Sequence, residues 1–138
     1  MSRRVMSMLM CLALVASLLV TEAWAGSPHF VSLSVVRSDD TLTVVGKEAG
    51  LGDEAQIEVV ITATAACINP GDNHPKAANK ESVSAAGLFP VQNGRANFSL
   101  VLAPTFQPDC SPPMTVQFTD VVVCDRTNNI CRSFSGTF

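Results

Sequence analysis

The longest regular pattern in the chain runs from Ala55 to Cys67. Ala55, Ile57, Val59, Ile61, Ala63, Ala65 and Cys67 alternate with Gln56, Glu58, Thr62 and Thr64; Val60 is the one apolar residue on the polar side. A period of two held over so many residues is the signature of a β-strand with one buried face. It predicts a central strand, ending in a cysteine and a Pro/Gly/Asn loop.

The remaining strands follow from the same alternation. Val31, Leu33 and Val35 mark one over Phe30–Val36; the polar turn Arg37-Ser38-Asp39-Asp40 leads to a second over Thr41–Val45. These two form either a hairpin or one edge strand that switches sheets. Gly46 to Glu54 reads as a glycine-punctuated loop with Leu51 turned back into the core. After the central strand, 68–80 is an irregular loop, long for a compact domain. Glu81–Val91 is a weaker strand with Val83, Ala85 and either Leu88 or Phe89 inward, bent at Gly87. Asn93-Gly94 then signals a tight hairpin, because both central positions favour positive φ. Ala96, Phe98, Leu100 and Leu102 alternate cleanly. A proline-rich loop over 103–113 precedes the strand Met114–Cys124, where Asp120 breaks the apolar face and implies a bulge near Thr119. Asp125 to Asn129 is a turn, and Ile130, Phe134 and Phe138 carry the last strand to the end of the chain. No helical window occurs after Gly26. About seven short strands separated by turn signals predict an all-β domain, an immunoglobulin-like β-sandwich of antiparallel strands. The core Trp and the Tyr corner of antibody domains are missing.

The first 25 residues do not belong to this pattern. Met1-Ser2-Arg3-Arg4 is positive, Val5–Val20 is apolar apart from Ser7 and Ser17, and Ala23-Trp24-Ala25 is a small-x-small cleavage site. The apolar run is short of the roughly 20 residues that span a bilayer, so 1–25 reads as a secretory signal peptide and 26–138 as one domain. No membrane span is expected after cleavage. Without Arg3, Arg4 and Glu22 the domain keeps 7 of the 9 basic and 11 of the 12 acidic residues. Scattered, mildly acidic charge argues against nucleic acid as a partner. The only Trp leaves with the signal and there is no Tyr, so Phe is the sole aromatic of the domain.

Four cysteines remain, Cys67, Cys110, Cys124 and Cys131, an even number that implies two disulfides in one of three pairings. Intervening stretches of 42, 13 and 6 residues contain no C-x₂-C pair, which argues against zinc. Strand direction selects among the pairings. If the central strand runs upward to Cys67, alternation puts the 103–113 loop at the same upper end, and Cys124 and Cys131 together at the lower end. Cys67–Cys110 and Cys124–Cys131 are therefore expected. Other pairings would join ends roughly 25–30 Å apart, whereas a disulfide needs Cα atoms within about 7 Å.

Candidate chemistry is sparse. The chain has two histidines, His29 and His74, and no G-x-S-x-G nucleophile signature. Copper of the blue type would need a histidine between Cys110 and Met114, and none is present. Asn69, Asp72 and Asn73, with Asp109 nearby, are hard oxygen donors that calcium would accept; the same residues are ordinary turn formers, and the reading takes them so. No metal and no cofactor are expected, and the chain does not read as an enzyme. Phe106 is the one aromatic placed to be exposed, which weakens a sugar-stacking role. Asn97-Phe98-Ser99 is a glycosylation sequon in a eukaryotic secretory pathway.

Ala49-Gly50-Leu51-Gly52, the long alternating strand, and then Cys67-Ile68-Asn69-Pro70-Gly71-Asp72-Asn73 together resemble small secreted bacterial proteins of unknown function that share a Cys-x-Asn-x-Gly-x-Asn loop. The resemblance implies a single immunoglobulin-like sandwich and a later cysteine after a Pro-rich stretch, here Cys110, as partner of Cys67. Cys124 and Cys131 are not part of that pattern. The expectation is a secreted, non-enzymatic binding or structural module whose partner is an extracellular protein or surface component. Its contact surface would be the upper loops, through Asn69, Asp72, Asn73, His74, Phe106 and Asp109. The alternative is a small secreted inhibitor or effector that presents the disulfide-braced loop 103–113 to a protein target.

Overall fold

A computed structural model of the chain describes residues 26–71 and 79–138. The expected signal segment 1–25, and Asp72, Asn73 and His74, lie outside the described residues. The described chain is all-β, with seven strands: β1 (His29–Ser38), β2 (Thr41–Ala49), β3 (Gln56–Ile68), β4 (Lys80–Pro90), β5 (Ala96–Leu102), β6 (Thr115–Asp125) and β7 (Ile130–Phe134). They form two antiparallel sheets, ordered β1-β2-β5 and β4-β3-β6-β7. Taking the end of β3 at Cys67 as the upper end, the Asp39-Asp40 turn and the 103–113 loop are also upper. The 92–95 hairpin and the β6–β7 turn are lower.

The alternation of β3 does what it predicts. Ile57, Val59, Ile61, Ala63, Ala65 and Cys67 are all buried, and β3 is flanked by β4 and β6 on its two sides. Ala55 falls outside the strand and is exposed, because Val91 bonds its carbonyl there and the ladder begins at Gln56. The outlying Val60 is 7% exposed. Register explains it: Cys124 stands directly opposite on β6, and Cys131 opposite Cys124 on β7, so a disulfide shares its rung on the outer face.

β1 and β2 form a hairpin in one sheet, with Asp39 in the left-handed region (φ 50°). A bulge between Phe30 and Ser32 reverses the expected facing at the start of β1. Val31 is 55% exposed, and Phe30 packs against the core with Leu33 and Val35. The glycine-rich stretch is also corrected. β2 does not stop at Val45 but continues to Ala49, with Gly46 buried. A side chain at Gly46 would overlap the ring of Phe98 and a methyl of Leu33, so glycine is there for close packing and not to break the strand. Leu51 does plug the core, at 3% exposure.

The β3–β4 ladder passes through Gly87 without a register shift, Phe89 packs inward and Leu88 is exposed. Asn93 (φ 53°) and Gly94 (φ 71°) make the expected tight turn, closed by Gln92 and Arg95. The bulge of β6 lies at Asp120 (φ 53°), where the pairing with β3 shifts. It restores Val121, Val123 and Asp125 to the inner face below it. β7 ends at Phe134 and not at the chain end. Ser135 to Thr137 leave the ladder, and Phe138 rejoins β6 beyond the bulge, exchanging both backbone hydrogen bonds with Phe118 at 3.0 Å. The neighbour of a bulged strand must be irregular too if pairing is to resume.

The core is built from Leu42, Val44, Ile57, Val59, Ile61, Phe98, Leu102, Val116, Phe118, Val121 and Val123, contributed by both sheets. Each fully buried side chain of this size contributes roughly 1.5–3 kcal/mol of transfer free energy. Both disulfides pair as strand direction predicts: Cys67–Cys110, with Cα atoms 5.7 Å apart, and Cys124–Cys131, 4.1 Å apart. No helix among the described residues is long and apolar enough to cross a membrane.

Candidate functional site

The upper end is the surface that the sequence singles out. Asn69 and Asp109 are exposed there. Among the described residues no three His, Cys, Asp or Glu side chains converge as a metal-binding group. Phe106 is a correction. It is 7% exposed and belongs to the core cluster, not to a displayed surface. The 103–113 loop turns back over the open end of the sheets, and its one large apolar residue closes that end. Glu81 at the start of β4 accepts the N–H of Thr105, fixing the approach to Phe106. Around this plug lies a shallow cleft of about 330 Å³, lined by Asp40, Thr105, Gln107 and Asp109 among others. Asp40, from the β1–β2 turn, was not expected there. His29, at the exposed start of β1, holds its Nδ1 2.8 Å from the carbonyl of Ser27.

The lower end carries more polar chemistry, and it was missed. Because β2 continues past Gly46, its alternation turns Lys47 outward and Glu48 inward. Lys47 stands opposite Asn97 of β5, and the Asn93-Gly94 turn brings Gln92, Asn93 and Arg95 beside them. Together with Pro90 these residues line an open cleft of about 610 Å³. Two cations and three carboxamides line it, and no acid does. Among the described residues the one ion pair is elsewhere, between Arg126 and Glu58 at 4.0 Å on the surface. Among the described residues Lys47 and Arg95 thus offer charge to the cleft without an ion-pair partner.

Beneath the cleft, between the sheets, lie two fully buried acids, Glu48 of β2 and Asp125 of β6. The signal for Asp125 was in the sequence: it continues the phase of Val121 and Val123. Its carboxylate accepts hydrogen bonds from the N–H of Thr127 (2.8 Å), the N–H of Asn128 (3.2 Å) and the Asn128 amide (2.6 Å). That amide also donates to Glu54 at 3.1 Å. Asp125 thereby shapes the β6–β7 turn, which is further tied to β3 by Arg126 N–H to the Glu58 carbonyl and by Glu58 N–H to the Thr127 hydroxyl. Neither carboxylate oxygen of Glu48 has a donor. Burial first, then the hydrogen bond and charge of Asp125, then the charge of Glu54, push the Glu48 carboxyl up to about 8.

Comparison of the chain with protein-family models, with curated proteins and with solved structures returns no match, so the reading of this site rests on its own geometry.

Proposed function

We propose that the chain is exported and acts, as a disulfide-braced immunoglobulin-like β-sandwich without enzymatic activity, as a binding module at the cell exterior, and that its lower cleft takes an anionic component of a surface, a carboxylate-bearing saccharide. The strand order β1-β2-β5 facing β4-β3-β6-β7 supports the immunoglobulin-like reading. Two disulfides, and the apolar run Val5–Val20 behind a basic start, support export. The observation that carries the ligand class is the lining of the cleft. On a net acidic chain, Lys47 and Arg95 converge where no acid answers them, beside three carboxamides whose paired donors and acceptors match hydroxyl groups. Recognition by charge and amides also suits a chain with no exposed aromatic platform in this cleft. Titration of the purified protein with uronate oligosaccharides, followed by amide shifts in NMR spectra, tests this. Shifts confined to Lys47, Gln92–Arg95 and Asn97, weakened by salt and lost in the K47A/R95A double variant, are expected. Shifts spread over the surface, or none at millimolar ligand, count against the reading.

A second reading keeps the upper loop. Phe106 and Cys110 pin the chain on either side of exposed Gln107, Pro108 and Asp109, an arrangement that presents a short segment to a protein target at low ordering cost. Inhibition of a protease from a broad panel at micromolar protein, abolished by substitutions at Gln107 and Asp109, would favour it over the cleft.

A further inference from the structure

At the lower end the two sheets meet in a pair of acids with no base between them. Glu48 is the penultimate residue of β2 on one sheet, Asp125 closes β6 on the other, and neither is exposed. The charged groups that face Glu48 are Asp125 from β6 and Glu54 from the β2–β3 loop, all of one sign. Its partners in register on β1 and β5 are Phe30 and Ala96, which bring neither charge nor side-chain donor. Lys47, next in the chain, lies on the opposite face of the strand and lines the outer cleft. Asp125 has its oxygens occupied by Thr127 and Asn128, whereas Glu48 receives nothing.

A buried ionised carboxylate with neither donor nor counter-charge is strongly disfavoured. A neutral carboxyl that donates its O–H to a neighbouring carboxylate is not, and it gains a charge-assisted bond. We infer that Glu48 and Asp125 share one buried proton, which rests on Glu48 and is donated to Asp125, forming a pH-sensitive clasp between the two sheets. While the proton is held, the clasp joins the end of β2 to the β6–β7 turn, and the Asn128 amide extends it to Glu54 in the β2–β3 loop. When alkaline conditions remove it, two like charges are left at a position closed to solvent, and that end must open to hydrate them. The opening reaches the 92–95 hairpin, because Leu51 of the same loop donates its N–H to the Gly94 carbonyl at 3.0 Å. The direction in which burial and Asp125 move Glu48 agrees with this geometry.

The test follows carboxyl carbon resonances and amide hydrogen exchange in the purified protein from about pH 5 to about pH 9. One glutamate carboxyl is expected to titrate well above the others. Exchange at Leu51, Thr127 and Asn128, corrected for the intrinsic effect of base, is expected to accelerate by roughly tenfold or more across that range. Glu48→Gln keeps a donor toward Asp125 that cannot be removed, and its exchange is expected to stay flat. The inference is overturned if every carboxyl titrates in the ordinary acidic range, or if E48Q accelerates as the parent does. It is equally overturned if millimolar calcium abolishes the pH dependence of the parent, for then a cation and not a proton fills the gap. Should E48Q fail to fold, the carboxyl titration of the parent protein decides alone.

Discussion

Asn128 holds the carboxylate of Asp125 through two hydrogen bonds, 3.2 Å from its backbone N–H and 2.6 Å from its side-chain amide. The acid is fully buried at the end of a strand, so it depends on the turn that follows it. Asn128→Ala removes the shorter bond and the link to Glu54 while keeping the backbone. Because a buried acceptor is left under-satisfied, a loss of about 1–3 kcal/mol in urea unfolding is expected. Asn128→Asp should cost more, since it replaces the donor with a fourth acid beside Glu48, Glu54 and Asp125.

The buried acid pair sets a direction for stability against pH. The Glu48 carboxyl is raised from 4.5 in the unfolded chain to about 8 in the native one. Below the first value both states hold the proton. Between the two, the native state holds a proton that the unfolded state has released, so stability falls as pH rises. Its slope for this group approaches about 1.4 kcal/mol per pH unit. Above the native value both states are ionised and the loss is complete. Glu48→Met fills a similar volume without a charge. It should flatten this slope and leave the variant more stable than the parent at alkaline pH, as measured by urea unfolding at a series of pH values.

Strand existence, the Asn93-Gly94 turn, the bulge near Thr119 and both disulfides followed from alternation and direction alone. The lower site did not, and Gly46 is the reason. A glycine after Val45 reads as a breaker, which puts Lys47 and Glu48 in a loop and hides their opposite facings. Only the three-dimensional approach of Phe98 from β5 and Leu33 from β1 explains a glycine inside that strand, and both come from other strands. Phe106 failed for a related cause. In a proline-rich loop it reads as displayed, but a sandwich end has to be closed, and no local pattern tells which loop residue closes it.

Gly46 therefore supports a sharp prediction. Its backbone is in the ordinary extended range, so Gly46→Ala would be harmless on conformational grounds. The new methyl would instead overlap the Phe98 ring, which also contacts the rings of Phe30 and Phe89 at centroid distances of 6.2 and 5.9 Å. A destabilisation of about 1–3 kcal/mol from overpacking is expected in thermal or urea unfolding. Combining it with Phe98→Leu should recover part of the loss, whereas a purely conformational effect would not respond to Phe98.

The two disulfides should differ in weight. Cys67–Cys110 closes 43 residues and Cys124–Cys131 closes 7. Loop-closure entropy alone gives about 4 kcal/mol for the first and about 2.4 kcal/mol for the second. Replacing each pair with alanine and comparing urea midpoints should show the larger loss for the first. Replacing Cys124 and Cys131 should in addition uncover Val60, which shares their rung, and loosen the short edge strand β7. Faster amide exchange over Ile130–Phe134 in that variant, with the upper end unchanged, is the expected signature.

Phe106 tests whether the 103–113 loop is part of the core or a display laid upon it. The ring is 7% exposed and shares the upper cleft with Val116 and Cys110. A displayed aromatic can be removed at little cost. A plug cannot: Phe106→Ala leaves a cavity at the open end of both sheets, and core losses of this kind run to about 3–5 kcal/mol. The disulfide at Cys110 still tethers the loop in the variant, so the loss should appear as loosening between Ala103 and Gln107 rather than as release of the whole segment. Limited proteolysis of the variant should then cut within that stretch under conditions where the parent resists. Resistance equal to the parent, with unchanged urea stability, would show that the loop is held by Cys110 and by Glu81 at Thr105 without help from its aromatic.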